Sequence, residues 1–350
     1  MNIGPGGRAG VSLFEAESWE SWGSSEMKPF LTVIAGPTAS GKTALAIELA
    51  RREGGEIVSA DSQQVYRYFD IGTAKPSAEE LAAVPHHLIS VVEPLEPFSA
   101  AEYQRRADAA IEDIVSRGKR VFVVGGTGMY LRILLHGLVE APGADPELRA
   151  ELEALAAAEG REAVHRKLAE VDPETAAKLP PKDLVRTIRA LEIHKQTGKP
   201  ASEFRKEHAF AADRYPFRMH VLSPPREELY RRIDARSAAM FQGGLVEEVR
   251  GLISRGYGEA APMRSVGYVQ AKAVVDGTLP VEEAIQQAAQ ETRRYAKRQL
   301  TWFRKEAGAG FVEPPYDVLL KEGGSSGRAE PEVSSGMPNP EPGAYRSMRD

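Results

Sequence analysis

Residues 36–43 read GPTASGKT, and this stretch decides the fold. It matches G-x-x-x-x-G-K-T, a loop whose backbone N–H groups wrap a phosphate. Gly36 and Gly41 bracket the loop, and Pro37, Thr38, Ala39 and Ser40 form its arc. Lys42 adds a positive charge, and the Thr43 hydroxyl is a ligand for Mg²⁺. LTVIA (31–35) before it is short, apolar and β-branched, the character of a buried parallel strand. TALAIELARR (43–52) after it is rich in helix formers. The loop therefore sits at a helix N-terminus, where free N–H groups and the dipole favour an anion. The motif specifies a polyphosphate and leaves open whether that is ATP.

Working outward, EIVSA (56–60), VFVVG (121–125) and MHVLS (219–223) read as further strands. Helices are predicted over 42–52, 99–117, 146–159, 162–169, 183–196, 226–240, 244–254, 266–275 and 281–304. Such alternation predicts an α/β fold: a P-loop NTPase-like parallel sheet flanked by helices. From about 130 to 215 the pattern turns helical and charged. The predicted organisation is a core of 28–130 and 216–312 with a helical insertion at 131–215. Residues 1–27 and 321–350 are rich in Gly, Ser and Glu, the tail also in Pro, and are expected to be disordered.

Net charge is −5, so a polyanionic partner needs a local basic patch rather than a global field. Cysteine is absent, which excludes disulfides, thiolate metal sites and a cysteine nucleophile. No apolar run approaches the roughly 20 residues of a membrane span. No N-terminal stretch has the form of a signal peptide, and a cytoplasmic protein is expected.

Asp61 follows strand 56–60. A right-handed crossover puts that strand in the sheet of 31–35, so Asp61 lies at the carboxyl edge where open α/β sheets bind ligands. It reads as a metal ligand, a general base or a substrate anchor, and equally as an Asx-turn or N-cap residue. Strand 121–125 ends in GGTGMY (125–130), without the acid that many P-loop ATPases carry there. Backbone N–H groups and the Thr127 hydroxyl suit anionic oxygens instead.

ETRRYAKRQLTWFRK (291–305) holds six basic residues and one acid. Helical spacing puts Arg293, Lys297 and Arg304 on one face, with Arg294 and Arg298 beside it. Ala296, Leu300 and Phe303 fall on the opposite side. Local basic density with Tyr and Trp interleaved fits a nucleic-acid backbone site, although charge runs usually mean a solvated face. Lys182, Arg186, Arg189 and Lys195 form a second basic cluster in the insertion. Arg232 and Arg236 are one turn apart and can reach the phosphate site together. The histidines show no metal-ligand spacing, and adjacent His86 and His87 would face opposite ways in a strand.

Together these residues resemble the bacterial tRNA dimethylallyltransferases. The matching segments run in order: GPTASGKT (36–43), DSQQVYRYFDIGTAKP (61–76), PHHLI (85–89), GGTGMY (125–130), DPELR (145–149), RALEI (189–193), LYRRIDAR (229–236), GLVEEV (244–249), SVGY (265–268) and AKRQLTWFR (296–304). The resemblance implies that the P-loop holds the diphosphate of dimethylallyl diphosphate, with Lys42, Thr43 and Arg236 around it and Mg²⁺ as cofactor. It implies Asp61 as the base that takes a proton from adenine N6, and Thr127 near the reacting centre. Implied contacts to the tRNA anticodon stem-loop are Asp61, Ser62, Gln63, Gln64, Thr127, Arg149, Arg186, Arg189, Arg264, Lys297, Arg298, Gln299, Trp302 and Arg304. Val185 stands where family members often carry Gln, so the resemblance does not extend to that contact. A monomer is expected, with no membrane partner.

Two other classes keep part of the pattern. A P-loop nucleotide or metabolite kinase shares the sheet and the loop, but leaves the basic helix unexplained. A non-enzymatic RNA-binding protein has no use for both Lys42 and Asp61. A transferase acting on free adenine nucleotides is the nearest variant, and the long insert favours a macromolecular acceptor over it.

Overall fold

A computed structural model describes residues 28–138, 141–208 and 213–322. The expected leader, and the expected tail from 323 onward, lie outside the described residues. Six parallel strands form one sheet: β1 (Leu31–Ala35), β2 (Gly55–Ser59), β3 (His86–His87), β4 (Arg120–Gly125), β5 (Phe217–Leu222) and β6 (Ala309–Val312). Their order is β3-β2-β4-β1-β5-β6, with β1 paired to both β4 and β5. The four strands legible in the sequence are the apolar ones. β3 is two histidines, and β6 is a half-exposed edge, so neither carries a hydrophobic signal.

Both faces of the sheet are covered, as continuous apolar strands require. Along β1, Leu31, Val33 and Ala35 pack in one cluster and Ile34 in the other. Along β4, Val121 and Val123 alternate with Phe122 and Val124 in the same way. One side receives α1 (Lys42–Glu53) through Leu45 and Leu49, together with Leu319 of the helix Asp317–Glu322. That last helix covers 317–322, so ordered chain runs past the expected boundary at 321. The other side receives the helices Ala100–Ser116 and Gly128–His136, which bring Ile111, Leu131 and Leu134. Leu131, Leu134 and Leu135 thus belong to the main core, although the sequence reading placed them in the insertion.

The insertion proper is built on its own apolar cluster, from Leu148 through Val164, Leu168 and Leu191 to Ala201. Its helices are Pro146–Glu159, Arg161–Val171, Pro173–Lys178, Leu184–Thr197 and Ala201–His208. Asp145, Asp172 and Asp183 cap three of them, each accepting a backbone N–H three residues on. After β5 the chain forms the helix Arg226–Gln242, then Leu245–Ser254, Tyr268–Val275 and the 23-residue helix Val281–Phe303. That long helix crosses the carboxyl edge of the sheet.

Candidate active site

A cavity of about 460 Å³ opens at the carboxyl ends of β1, β2 and β4. The P-loop forms one wall, with Thr38, Ala39, Gly41, Lys42 and Thr43 exposed to it. Gly41 takes a left-handed conformation (φ 93°) at the N-terminus of α1. Asp61 and Gln64 face it from the end of β2, and Gly125 and Gly126 from the end of β4. Arg232 and Arg236 enter from the helix Arg226–Gln242, and Tyr295 and Gln299 from the long C-terminal helix. Elements far apart in the chain thus meet on one side of the sheet.

Lys42 Nζ donates to Pro37 O at 2.7 Å. Burial pulls its pKa from 10.5 down to about 8; the nearby Asp61 charge acts against this, and Arg236 adds to it. Burial also lowers the Arg236 pKa, with Asp61 opposing. Arg236 Nη2 donates to the Thr38 hydroxyl, while Arg232 pairs with Glu228 one turn earlier. The cavity therefore gathers two cations from separate elements around a loop of backbone N–H groups. Such a cradle suits a multiply charged anion.

Asp61 forms the Asx-turn and also reaches the cavity. Its Oδ1 accepts the backbone N–H groups of Gln63 (2.8 Å) and Gln64 (3.3 Å), an Asx-turn that sets the carboxylate in place. Asp61 lines the same cavity as Lys42, close enough for its charge to act on the ammonium. Thr127 ties the neighbouring loop to it. Its N–H donates to Ala60 O at 3.2 Å, and its Oγ1 accepts from Ser62 N at 3.0 Å. Gln64 Nε2 donates to Thr73 O and Ala74 O, holding the 70–76 loop against the site. Glu248 and Tyr268 bind that loop from behind, at Ile71 N (2.9 Å) and Gly72 N (3.2 Å). The segments 244–249 and 265–268 thus support a loop.

Among the described residues, no three His, Cys, Asp or Glu side chains cluster as a metal site. Thr43 and Asp61 both reach the cavity, and a hydroxyl beside an anion cradle suits Mg²⁺. That ion keeps several waters and takes phosphate oxygens as ligands. The buried atoms Ser40 Oγ, Gln63 Oε1, His86 Nε2 and Trp302 Nε1, all in segments that form the site, have no protein partner. His86 lines the cavity and His87 pairs with Glu56, so the two adjacent histidines serve different neighbours.

The expected RNA contacts divide sharply. On the long helix, Lys297, Arg298 and Arg304 are exposed, and among the described residues no acid pairs with them. Arg264 is exposed in the 3-10 turn Ala261–Arg264. Arg293, by contrast, pairs with Asp234, and Arg294 with Glu291. In the insertion, Arg149 is bound at both ends to the fully buried Glu192, at 2.5 and 3.0 Å. Arg186 pairs with its own cap Asp183, and Arg189 holds the carbonyls of Pro142 and Gly143. Val185 lies 78% exposed among them. Trp302 packs on Gly128, where an added Cβ would stand 2.2 Å from its ring.

Tyr295 and Gln299 of the long helix stand where the sequence did not place them relative to the cavity. Tyr295 lines the cavity, and burial pushes its phenol up to about 12, with the Asp61 charge adding to the shift. Gln299, expected at the RNA, lines the same cavity and is 7% exposed, with both ends of its amide hydrogen-bonded inside the protein. A signal for the second was present: 296, 299 and 303 share one helical stripe, and two of them are apolar.

Comparison with known proteins agrees with this geometry. The family model for IPP transferase matches residues 64–306. The tRNA dimethylallyltransferase of Myxococcus xanthus (strain DK1622) is 75% identical over 297 residues, covering 85% of this chain and 96% of that protein. That of Anaeromyxobacter dehalogenans (strain 2CP-C) is 58% identical, covering 82% and 96%. Among solved structures, the full-length tRNA isopentenylpyrophosphate transferase of Bacillus halodurans superposes with a TM-score of 0.62. It is 41% identical, over 84% of this chain and 94% of that one. A eukaryotic dimethylallyltransferase acting on tRNA superposes with a TM-score of 0.72. It is 28% identical, over 84% and 77%.

Proposed function

The chain belongs to the IPP transferase family, and we propose that it transfers a dimethylallyl group from dimethylallyl diphosphate to N6 of the adenosine beside the anticodon of tRNA. One observation carries the chemistry. Lys42 and Asp61 face a single cavity, while β4 ends in Gly125, followed by Gly126, where a phosphoryl-transfer enzyme would place an acid. A cation cradle sharing its cavity with the Asp61 carboxylate suits displacement of a diphosphate by a nucleophile that must lose a proton; Glu80, which also lines the cavity, is engaged as the helix cap partner of Ser77.

An exocyclic adenine amine is a weak nucleophile, because its lone pair is delocalised into the ring. As the N6–C1 bond forms, Asp61 takes the N6 proton. As the C1–O bond breaks, negative charge grows on the departing diphosphate. Lys42, Arg236 and the P-loop N–H groups, which share the cavity, are the groups assigned to stabilise it. Thr43 is the residue that would hold Mg²⁺, which supplies further charge neutralisation when bound. Lys297, Arg298, Arg304 and Arg264 supply exposed cations for the RNA backbone. We take the protein to act as a cytoplasmic monomer; among the described residues no helix is long and apolar enough to cross a membrane.

Incubation with radiolabelled dimethylallyl diphosphate, Mg²⁺ and total tRNA tests the reading. Label is expected in tRNA. ATP-dependent phosphorylation of a small molecule, with no label in RNA, would return the chain to the kinase reading.

A further inference from the structure

Gln299 is joined to two loops that lie 261 and 173 residues away in sequence. Its Oε1 accepts the Thr38 N–H of the P-loop at 2.9 Å. Its Nε2 donates to Gly126 O, in the loop after β4, at 2.8 Å. The residue is 7% exposed. A carboxamide has one accepting and one donating end held in a plane. Both bonds form together only when the two loops stand at one separation.

Neighbouring contacts extend this link in both directions. Thr38 is held a second time, through its hydroxyl, by Arg236. Gly126 precedes Thr127, which is bonded to Ala60 O and to Ser62 N on either side of Asp61. A continuous path thus runs from the diphosphate cradle through Gln299 and Thr127 to the base. The chain leaves space for it: a Cβ at position 126 would come 2.3 Å from Gln299 Nε2. The same helix carries Lys297 and Arg298 on its exposed side, two and one residues earlier.

We propose that Gln299 is a positioning residue that sets the P-loop in register with the loop bearing Thr127, and is not itself a contact to RNA. It fixes how far the leaving diphosphate stands from Asp61, and so where C1 meets N6. This role rests on the transferase reading above. Errors of about 1 Å in such geometry cost on the order of 100-fold in rate.

The test uses the full chain with Gln299→Met, which keeps the volume and removes both bonds. Gln299→Glu, which keeps an acceptor for Thr38 and loses the donor to Gly126, is the second variant should the first melt early. Three quantities are measured: kcat at saturating tRNA, tRNA affinity without donor, and binding of inorganic diphosphate by calorimetry. Both variants are expected to lose about 30- to 100-fold in kcat while tRNA affinity stays within about twofold. Diphosphate binding to Gln299→Met should weaken several-fold, a readout that needs no transfer activity. Wild-type kcat in both variants overturns the proposal. So does a loss of tRNA affinity with kcat preserved at saturation, which would make Gln299 an RNA contact. A wild-type protein that transfers no label refutes the transferase reading instead, and the diphosphate titration still decides the role of Gln299 at the loops.

Discussion

The hydroxyl of Thr127 accepts the main-chain N–H of Ser62 at 3.0 Å, so the loop after β4 holds the residue that follows the proposed base. Thr127→Val keeps the shape and removes the acceptor. An unsatisfied N–H in a partly buried site costs about 1–3 kcal/mol. Turnover is expected to fall about tenfold or more, and Thr127→Ser to restore most of it. Steady-state transfer to tRNA by the two variants checks this.

Asp61→Asn separates the two duties of the carboxylate. Asparagine still accepts the N–H groups of Gln63 and Gln64, so the turn survives. It does not accept a proton from N6. A rate loss of roughly 10²–10⁴-fold is expected with tRNA affinity kept. Near-normal single-turnover rates would leave Asp61 as a turn residue only.

If Lys42 holds the diphosphate as proposed, donor affinity is expected to depend on pH. In the free protein its pKa stands at about 8 against 10.5, because of burial. The charged form binds diphosphate, so affinity is full below about pH 8. Above it, affinity weakens by up to about tenfold per unit. Folding stability moves the other way. Between pH 8 and 10.5 the unfolded chain holds the proton more tightly, so stability gains as pH rises. Titrations of dimethylallyl diphosphate from pH 7 to 9.5 should show the slope for wild type and lose it for Lys42→Arg.

RNA affinity should depend on few cations. Replacing Lys297 and Arg298 with Ala removes two exposed charges that no acid among the described residues pairs with. The slope of log K against log salt is expected to fall by roughly one to two units. Arg293→Ala should change it little, since Asp234 already neutralises that residue. Binding measured at several salt concentrations distinguishes the two.

Acid stability should report Glu56, which stands near the start of β2, at the opposite end of that strand from Asp61. Hydrogen bonds from Arg117, aided by His87 and opposed by burial, lower its pKa from 4.5 to about 2. The stabilisation is full above pH 4.5 and is lost as pH falls toward 2. Its size is on the order of 2–3 kcal/mol. Glu56→Gln should flatten the acid side of the unfolding profile, read by chemical denaturation from pH 6 to 3.

The strands and the phosphate loop were legible because their signals are local. GPTASGKT carries its own geometry, and LTVIA or VFVVG needs no context to read as buried strand. The two-residue β3 and the exposed β6 become strands only by lying beside β2 and β5, which is tertiary information. Exposed cations read alike on paper, yet they differ in what stands beside them. Arg149 meets Glu192 across 43 residues, and no spacing rule reveals that pairing. Lys297 meets no acid among the described residues, which is equally silent in sequence. Gln299 was placed at the RNA by resemblance, although its helical stripe with Ala296 and Phe303 already turned it inward.

Leu148, Val164, Leu168 and Leu191 pack against one another in a cluster that contains no residue of the sheet. A substitution there is expected to be absorbed by its neighbours in the insert, with little effect on the strands beneath Lys42. Two parts of one chain can therefore drift at different evolutionary rates. On the proposed reading, the insert can change size and charge to suit an RNA partner without repacking the sheet that holds the cavity.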